Sequence, residues 1–502
     1  MPSRQVRKVL LLNPPGDRPF IRDQFCSHLS KGTYYWQPLD LIVMSGPLSE
    51  AFEVSVVDGI AQGLPADDCL ERIGRFAPDA AVMLTGSDSW PQDLEFARRM
   101  KDATGCHIVL IGDLLREDPE ALLGAYPFVD AGMTDFVTHG LVDWLQGRPE
   151  KAENMIIRDG ESIRRIPANE KPRSFRMASP RYDLFDLTRY SMPYHRHHPY
   201  AAVIGSSWCP YLCSFCPFAR TPYRVREADD VLDNLRRIAA MGIRQVHFGD
   251  YTFGADRPQG SALVRGMRDE KFGFSWTCNS RVDLVDSGML EQWVAAGCDL
   301  VEFGVESGNQ AILDRYEKGT TIRQLREAFR WCRELGLRTL GTFILGLPGE
   351  TPDDLERTVE LALELDPTYA SFNIASPRMG TPLRQQLIRR GLITAAVDFG
   401  LDSSRGYPVF ETPDLSADLV WRAHRRAMRR FYLRPGYLLR RLGSLGSPVE
   451  LGNALRNGAS VVLQSLSTRG RAKGPHKDAS SHPPSPAAGP GGSSPVECAR
   501  DR

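Results

Sequence analysis

A repeated alternation of short apolar runs with longer amphipathic segments constrains the fold more than any other feature of the sequence. In residues 6–145 the apolar runs predict strands and the segments between them predict helices. The predicted strands are Val9–Leu12, Val54–Val57, Ala80–Leu84 and His107–Ile111, and the predicted helices are Pro38–Glu50, Ala66–Arg75, Pro91–Thr104 and Pro119–Ala125. This alternation indicates an α/β fold, a doubly wound parallel sheet with helices on both faces. Such a sheet binds ligands at the carboxyl ends of its strands.

A second block, residues 200–395, repeats the same strand–helix unit six times. Its predicted strands are Ala201–Ile204, Gln245–Phe248, Phe274–Thr277, Leu300–Phe303, Arg338–Phe343 and Tyr369–Ile374. Its predicted helices are Asp229–Met241, Gly260–Lys271, Ser287–Ala296, Ile322–Leu335 and Pro352–Leu365. Six such units predict a partial (β/α)6 TIM-like barrel, with its chemistry at the C-terminal ends of the strands.

The remaining segments differ from both blocks in composition. Residues 146–199 are polar and carry prolines, and we expect a linker there in which "GESIRRIP" forms a small hairpin. Residues 396–466 are predicted to be mostly helical, and the Pro-, Gly- and Ser-rich residues 467–502 are predicted to be a disordered tail. The expected organisation is therefore an α/β domain in 1–145, the linker, a barrel in 200–395, a helical region and the tail.

Charge and hydropathy argue against two classes of protein. Lys plus Arg and Asp plus Glu both number 62, a balance that a strongly basic nucleic-acid-binding protein would not show. No apolar run is long enough to span a membrane. We interpret the apolar start "KVLLLNPPG" as a first strand, because a signal peptide has a longer apolar core. We therefore expect a cytoplasmic protein with no nucleic-acid partner, in which clustered cysteines indicate metal or redox chemistry.

Cys209, Cys213 and Cys216 follow the first predicted barrel strand with the spacing Cys-x3-Cys-x2-Cys. Thiolates at these separations can bind three corners of an iron–sulfur cube. A structural zinc site needs a fourth ligand, and the histidines nearest in sequence make no familiar zinc pattern. The plain alternative is three buried cysteines that pack as small apolar groups. Three ligands on a four-iron cluster would leave one iron open to chelate a substrate.

The stretch "CPYLCSFC" resembles the cluster motif of the radical S-adenosylmethionine (SAM) superfamily, whose barrel also has six strand–helix units. The resemblance implies that the open iron of a 4Fe–4S cluster binds the amino and carboxylate groups of SAM. An electron from the cluster then cleaves the sulfonium and releases a 5′-deoxyadenosyl radical, which abstracts hydrogen from an unreactive C–H bond. An electron donor such as flavodoxin or ferredoxin is implied as a partner.

Further stretches at the ends of the predicted strands resemble the same family. They are "FGDYTF" with Asp250, "CNSRVD" with Asn279 and Arg281, "FGVESG" with Glu306, and "GTFILGLPGE" with Gly346. The resemblance implies that Asp250 meets the methionine amino group and that Glu306 binds the ribose or methionine end of SAM. It also implies that Asn279 and Arg281 face the cofactor and that glycine backbone approaches the adenine. Glu350 is expected to cap the next helix. Singly, each residue is explained as well by a salt bridge or a turn.

The N-terminal block resembles the cobalamin-binding domain of one large radical SAM subclass, through "VLLLNPPG" and "DLIVMSGPLSEAFEVSVVDG". The resemblance implies that Ser87, Ser89 and Gly112, at the strand ends, contact cobalamin. The Asp-x-His-x-x-Gly stretch that supplies an axial histidine in many cobalamin proteins is absent, which suggests an empty or water-bound lower cobalt position. The alternative is a domain that only recognises substrate or has lost cobalamin.

Together the resemblances imply a cobalamin-dependent methyltransferase that acts on an unactivated carbon or phosphorus of a small molecule. Methylcobalamin would methylate the substrate radical, and a second SAM would remethylate cob(I)alamin. Two alternatives stay open: ring closure, oxidation or carbon–carbon coupling on a tetrapyrrole or lipid, as in the anaerobic porphyrin-ester cyclase group, and a non-catalytic cobalamin-binding protein. The basic stretch "WRAHRRAMRRFYLRPGYLLRRL" predicts either a peripheral contact with an anionic membrane or a helix that covers the barrel bottom.

Overall fold

Two sheets, one in each block, organise the chain. The computed structural model describes residues 5–30, 34–168, 173–394, 407–443 and 451–452. The strands of the first block are β1 (Lys8–Asn13), β2 (Phe20–Arg22), β3 (Ser27–Leu29), β4 (Glu53–Asp58), β5 (Ala80–Thr85), β6 (His107–Gly112), β7 (Ala131–Met133), β8 (Met155–Asp159) and β9 (Ser162–Ile166). Its helices are α1 (Leu39–Ala51), α2 (Ala66–Phe76), α3 (Trp90–Thr104), α4 (Pro119–Ala125) and α5 (Gly140–Leu145).

The first sheet has the strand order β4-β1-β5-β6-β7-β8-β9. Its strands are parallel up to β7, whereas β8 and β9 pair antiparallel. The hairpin predicted at "GESIRRIP" forms, and it adds two strands to the sheet beyond residue 145. All four predicted strands and all four predicted helices are confirmed to within one residue at each end. The doubly wound architecture follows from their alternation.

The second block carries β10 (Ser174–Phe175), β11 (Tyr200–Val203), β12 (Ser206–Ser207), β13 (Arg224–Arg226), β14 (Gln245–Phe248), β15 (Ser275–Ser280), β16 (Cys298–Glu306), β17 (Arg338–Leu345) and β18 (Tyr369–Ile374). Its helices are α6 (Ala228–Ala240), α7 (Arg257–Asp269), α8 (Ser287–Ala295), α9 (Gln310–Arg315), α10 (Ile322–Glu334), α11 (Pro352–Leu365) and α12 (Pro382–Arg389). Two helices follow, α13 (Ala417–Tyr432) and α14 (Pro435–Gly443). The predicted tail lies outside the described residues.

Six parallel strands in the order β11-β14-β15-β16-β17-β18 form the predicted partial barrel. Each predicted strand overlaps an observed one, and β15 and β16 run three residues further at their carboxyl ends. Helices α10 and α11 begin at capping boxes, in which Thr321 pairs with Gln324 and Thr351 with Asp354. Helices α9 and α12 were not predicted. They flank the carboxyl edge, where short helices carry no long periodic pattern.

Gln37 completes the free edge of β11 from the first block. Its side-chain nitrogen donates to the Tyr200 carbonyl at 2.6 Å, and its side-chain oxygen accepts from the Ala202 N–H at 2.8 Å. The backbone N–H of Gln37 also donates to the Tyr200 hydroxyl at 2.8 Å. One buried amide therefore takes the place of a neighbouring strand, and it ties the two blocks together.

We expect Gln37→Leu to lower the free energy of unfolding by about 2 to 4 kcal/mol, because it leaves a buried N–H and a buried carbonyl without partners. Urea unfolding of the purified protein measures this. Gln62→Leu is the matched control, since Gln62 makes only an exposed bond with Arg72, and a change within about 0.5 kcal/mol is expected. Equal effects of the two variants would contradict the role given to Gln37.

Candidate active site at the carboxyl edge of the barrel

The three predicted cluster cysteines lie on the loop between β12 and β13, at the carboxyl edge of the barrel sheet. Cys213 is buried, and Cys209 and Cys216 are half-buried free thiols. The Cys209 sulfur lies 3.4 Å from the Thr252 hydroxyl, and the Cys216 N–H donates to the Cys213 carbonyl at 3.0 Å. Within the described residues, no three His, Cys, Asp or Glu side chains are grouped to hold one metal ion. Three ligands of an iron–sulfur cube bind three different irons, so they need not share one ion.

Two buried cations lie beside Cys213. The Arg281 guanidinium is 3.7 Å from the Cys213 sulfur and stacks 3.7 Å from the centre of the Tyr211 ring. Burial raises the pKa of the Cys213 thiol, while the charges of Lys318 and Arg281 oppose that rise. Asp283 fixes Arg281 through two bonds of 3.0 Å. Because thiolates are the metal ligands and a thiolate-bound cluster is anionic, this donor set fits an iron–sulfur cluster.

Glu306 and Lys318 form a buried ion pair where β16 ends. The Glu306 carboxylate accepts from the Lys318 ammonium at 2.7 Å, and their side chains are 9% and 7% exposed. Glu306 has a φ of +67°, a left-handed conformation that is costly for a residue with a side chain. A Cβ at Gly304 would lie 2.3 Å from the Glu306 carboxylate, so the pair needs a glycine there. The arrangement sets one carboxylate and one ammonium next to the cysteine loop.

Asp250 and Asn279 are brought together at the ends of β14 and β15. The Asn279 amide donates to the Asp250 carbonyl at 3.2 Å. The Asp250 carboxylate accepts from the Gly205 N–H at 2.8 Å and from the Ser206 hydroxyl at 2.5 Å. Burial raises the pKa of Asp250 to about 6. The carboxylate thus holds the start of the cysteine loop, and its contact with a cofactor stays a prediction.

Two of the glycines predicted at binding sites are required by the backbone. Gly112 has a φ of +151°, and a Cβ there would lie 1.8 Å from the Thr85 carbonyl oxygen. Gly346 has a φ of +92°, and a Cβ there would lie 2.9 Å from the Val420 side chain on α13. Both positions therefore exclude other residues by close packing, independently of any ligand.

Glu350 holds the loop after β17. Its carboxylate accepts from the N–H groups of Gly346 and Leu347, both at 2.8 Å. The expectation that Glu350 caps the next helix is wrong, because Thr351 caps α11 while the Glu350 carboxylate faces back to the loop. Burial raises the pKa of Glu350 to about 7, although both backbone bonds lower it.

The inside of the open barrel is polar and accessible. Along each strand, residues that face the helices are buried, and residues that face inward at the level of the site are half-exposed. The inward polar residues are His247, Asn279, Glu302, Thr342, Ser371 and Asn373. This is the opposite of a filled core and provides a cavity below the cysteine loop.

A segment before β11 closes the bottom of this cavity. Tyr194 and His195 pack there, and the His195 ring lies 4.6 Å from the Tyr200 ring. The Thr277 hydroxyl lies 2.9 Å from His247 Nδ1 and 3.4 Å from His195 Nε2. Burial lowers the pKa of His247 to about 4 and lowers that of His195 as well, so both rings are neutral at pH 7. The floor is therefore polar and uncharged.

The predicted contacts Ser87 and Ser89 lie at the carboxyl edge of the first sheet, fully buried. The Ser87 hydroxyl donates to Asp113 at 2.6 Å, and the Ser89 hydroxyl donates to Asp93 at 2.6 Å. Both hydroxyls are thus used within the protein. Their contact with cobalamin stays a prediction.

The hairpin β2–β3 lies between the first sheet and the cysteine loop. The Phe25 ring contacts Trp208 at 4.6 Å and Tyr251 at 5.6 Å between ring centres. Ser27 N–H donates to Asp113 at 3.0 Å, and a Cβ at Gly86 would lie 2.4 Å from the Ser27 Cβ. The hairpin therefore covers the edge at which the cobalamin contacts were predicted.

A cavity of about 120 Å³ remains between the blocks. Its lining includes Asn13, Arg22, Asp58, Tyr200, His247 and Asn279. Cavities that enclose drug-sized ligands measure roughly 300–1,000 Å³. In this arrangement the cavity has no room for a corrin ring, and one would enter only with displacement of the hairpin.

Comparison with known proteins decides the family. The model of the radical SAM superfamily matches residues 203–362. The chain carries a radical SAM domain. The predicted family, fold and enzyme class are thereby confirmed, and the match spans the cysteine loop and the first five barrel strands.

Relatives extend this likeness beyond the domain. The chain is 28% identical over 456 residues to an uncharacterized methyltransferase of Pyrococcus horikoshii, covering 87% of this chain and 95% of the relative. It is 24% identical over 463 residues to the cytidylyl-2-hydroxyethylphosphonate methyltransferase of Streptomyces wedmorensis, covering 78% and 83%. TsrM from Kitasatospora setae, a radical SAM methyltransferase solved with cobalamin and a 4Fe–4S cluster, shares the fold with a TM-score of 0.62 at 21% identity, covering 77% and 75%.

Sequence reasoning missed several residues of the site. Lys318 lies after α9 without a motif, and only the fold brings it to Glu306. Phe25 and His195 come from segments that were predicted as a loop and a linker. The aromatic and histidine content of those segments was the only available signal.

We expect the stability of the protein to fall as pH rises from about 4.5 to 7, in part because of Glu350. Its folded pKa of about 7 lies above the ordinary 4.5, so in this range the folded state keeps a proton that the unfolded state has lost. Glu350→Gln keeps the acceptor for both backbone N–H groups and removes the titration. The stability difference between variant and wild type should therefore shift by about 3 kcal/mol in favour of the variant between pH 4.5 and 8.

Urea unfolding at several pH values measures this shift. Glu334→Gln on the exposed face of α10 is the matched control and should leave the profile unchanged. Parallel profiles of wild type and Glu350→Gln would contradict the raised pKa.

Proposed function

We propose that this protein is a cobalamin-dependent radical SAM methyltransferase that modifies an unactivated carbon or phosphorus of a small molecule. The observation that carries the proposal is the three-cysteine loop beside two buried cations, directly above a polar, accessible barrel interior. Two relatives that match most of their own length are named methyltransferases. TsrM, solved with cobalamin and a 4Fe–4S cluster, shares the order of the two blocks.

The residues of this chain hold the reactants and exclude water. Cys209, Cys213 and Cys216 would ligate the cluster, and Arg281 with Lys318 would balance its charge. When bound, cluster and SAM supply a 5′-deoxyadenosyl radical, and cobalamin supplies a methyl group. Glu306 and Asn279 would bind the polar end of SAM, since both lie beside the loop at the strand ends. Tight closure by α13 at Gly346 excludes water from that side.

The barrel interior binds the substrate in this proposal. Its inward residues are mostly neutral hydrogen-bonding groups, and its floor of Tyr194 and His195 is neutral at pH 7. A polar small molecule can satisfy such groups, whereas an apolar chain would leave them unpaired. The hairpin β2–β3 must move away from Gly86 to admit cobalamin to the edge of the first sheet.

We also propose that the enzyme works in the cytoplasm. All nine cysteines within the described residues are free, as the reducing cytoplasm requires. Within the described residues, none of the helices combines the length and hydropathy needed to cross a bilayer.

We expect anaerobically reconstituted protein to form 5′-deoxyadenosine from SAM when dithionite is added. Simultaneous replacement of Cys209, Cys213 and Cys216 by Ala should remove cluster iron and lower this product at least 100-fold. Cys332→Ala, a buried cysteine on α10 away from the loop, is the matched control and should retain iron. With cobalamin and candidate substrates, mass spectrometry should show the gain of one CH2 unit. Loss of hydrogens instead would favour the ring-closing alternative, and absence of deoxyadenosine would contradict a radical enzyme.

We further propose a peripheral contact of α14 with anionic membranes. Leu433, Leu438 and Leu439 are exposed by 42%, 46% and 72%, and arginines surround them. Several of these arginines also anchor the helices to the barrel, as Arg434 and Arg440 do with Asp366. Vesicles containing phosphatidylglycerol should sediment the wild-type protein, and Leu438→Ser with Leu439→Ser should reduce binding at least five-fold. Equal recovery with purely phosphatidylcholine vesicles would contradict the electrostatic part.

A further inference from the structure

The cysteine loop exposes one large apolar side chain, Leu212. It stands between Cys209 and Cys213, directly before the latter, and is 50% exposed. Both of its cysteine neighbours are at least half buried. The surface over Leu212 is thus joined to the cluster ligands by one or two covalently linked residues, which makes it a short route for an electron from outside.

Exposed arginines surround this part of the loop. Arg220 pairs with Glu317 at 3.0 Å, which places α9 beside the loop. The Ser214 N–H donates to the Tyr316 carbonyl at 3.0 Å, and the Leu383 N–H donates to the Ser214 carbonyl at 2.9 Å. These bonds bring the ends of α9 and α12 to the same face.

The charge of this face is positive. The charges of Arg315 and Arg390 both act on the Tyr316 hydroxyl, against the rise in its pKa that burial causes. Arg220, Arg315, Arg389 and Arg390 are exposed there, against the two exposed acids Asp314 and Glu317. An exposed leucine inside a cationic rim has the composition of a small transient interface.

We infer that the face formed by Leu212, Arg220, Arg315, Arg389 and Arg390, which we name the Leu212 face, docks an acidic one-electron donor protein. The inference rests on the proposed function, because that reaction needs one electron from outside. The donor's flavin hydroquinone or reduced iron–sulfur centre loses one electron, and the cluster behind Leu212 gains it. No bond forms or breaks between the two proteins. The cationic rim steers the acidic donor, and Leu212 gives the contact its dry centre.

Binding of oxidised flavodoxin, measured by calorimetry, tests the Leu212 face without any catalytic readout. Leu212→Glu should weaken binding at least ten-fold, and Arg220→Glu, which leaves the segment between the cysteines unchanged, should weaken it at least three-fold. Met241→Glu is the matched control, since Met241 is 47% exposed at the end of α6, on the opposite side of the barrel sheet. It should bind within two-fold of wild type. Wild-type affinity should also fall with added salt.

Stopped-flow oxidation of flavodoxin hydroquinone by reconstituted protein gives the second readout. Arg220→Glu should slow this reaction at least three-fold while dithionite-driven deoxyadenosine formation stays within two-fold of wild type. Equal flavodoxin affinity of wild type, Leu212→Glu and Arg220→Glu, or no binding of either flavodoxin or ferredoxin to wild type, would overturn the inference. Failure of the proposed function is distinct, since it appears as no deoxyadenosine with dithionite whatever the flavodoxin affinity.

Discussion

Positive charge buried beside the cysteine loop is the interaction on which the rest of the site depends. A thiolate-bound cluster in a water-poor place is unfavourable unless nearby cations compensate its charge. Arg281 and Lys318 supply that compensation, and each is fixed by a carboxylate, Asp283 or Glu306. The cations are therefore held in place before any ligand arrives, so that little reorganisation is needed when it binds.

The parallel sheet explains why these groups meet. Six strands end at one edge, and each contributes its following loop to the same small region. Asp250, Asn279 and Glu306 follow three successive strands of that sheet. Asp250 then acts at one remove, because its carboxylate holds the backbone from which the cysteine loop starts. The chemistry is thus supported by bonds that never touch a reactant.

Local patterns predicted the elements well because strand and helix periods are written in neighbouring residues. The cysteine spacing and the strand ends located the site for the same reason. Contacts between distant segments could not be predicted: Gln37 on the edge of β11, Lys318 at Glu306 and Phe25 against Trp208 join residues far apart in sequence. The orientation of Asp250 and Glu350 also escaped prediction, since a carboxylate at a strand end can turn toward a ligand or toward its own loop.

The account's central claim is that Cys209, Cys213 and Cys216 hold a four-iron cluster with one iron left for SAM. Electron paramagnetic resonance of the reduced, reconstituted protein, recorded with and without saturating SAM, tests it most directly. The account predicts a cluster spectrum whose g values shift when SAM is added, because SAM coordinates the open iron. A spectrum that SAM leaves unchanged, or one that persists when all three cysteines are replaced, would contradict it.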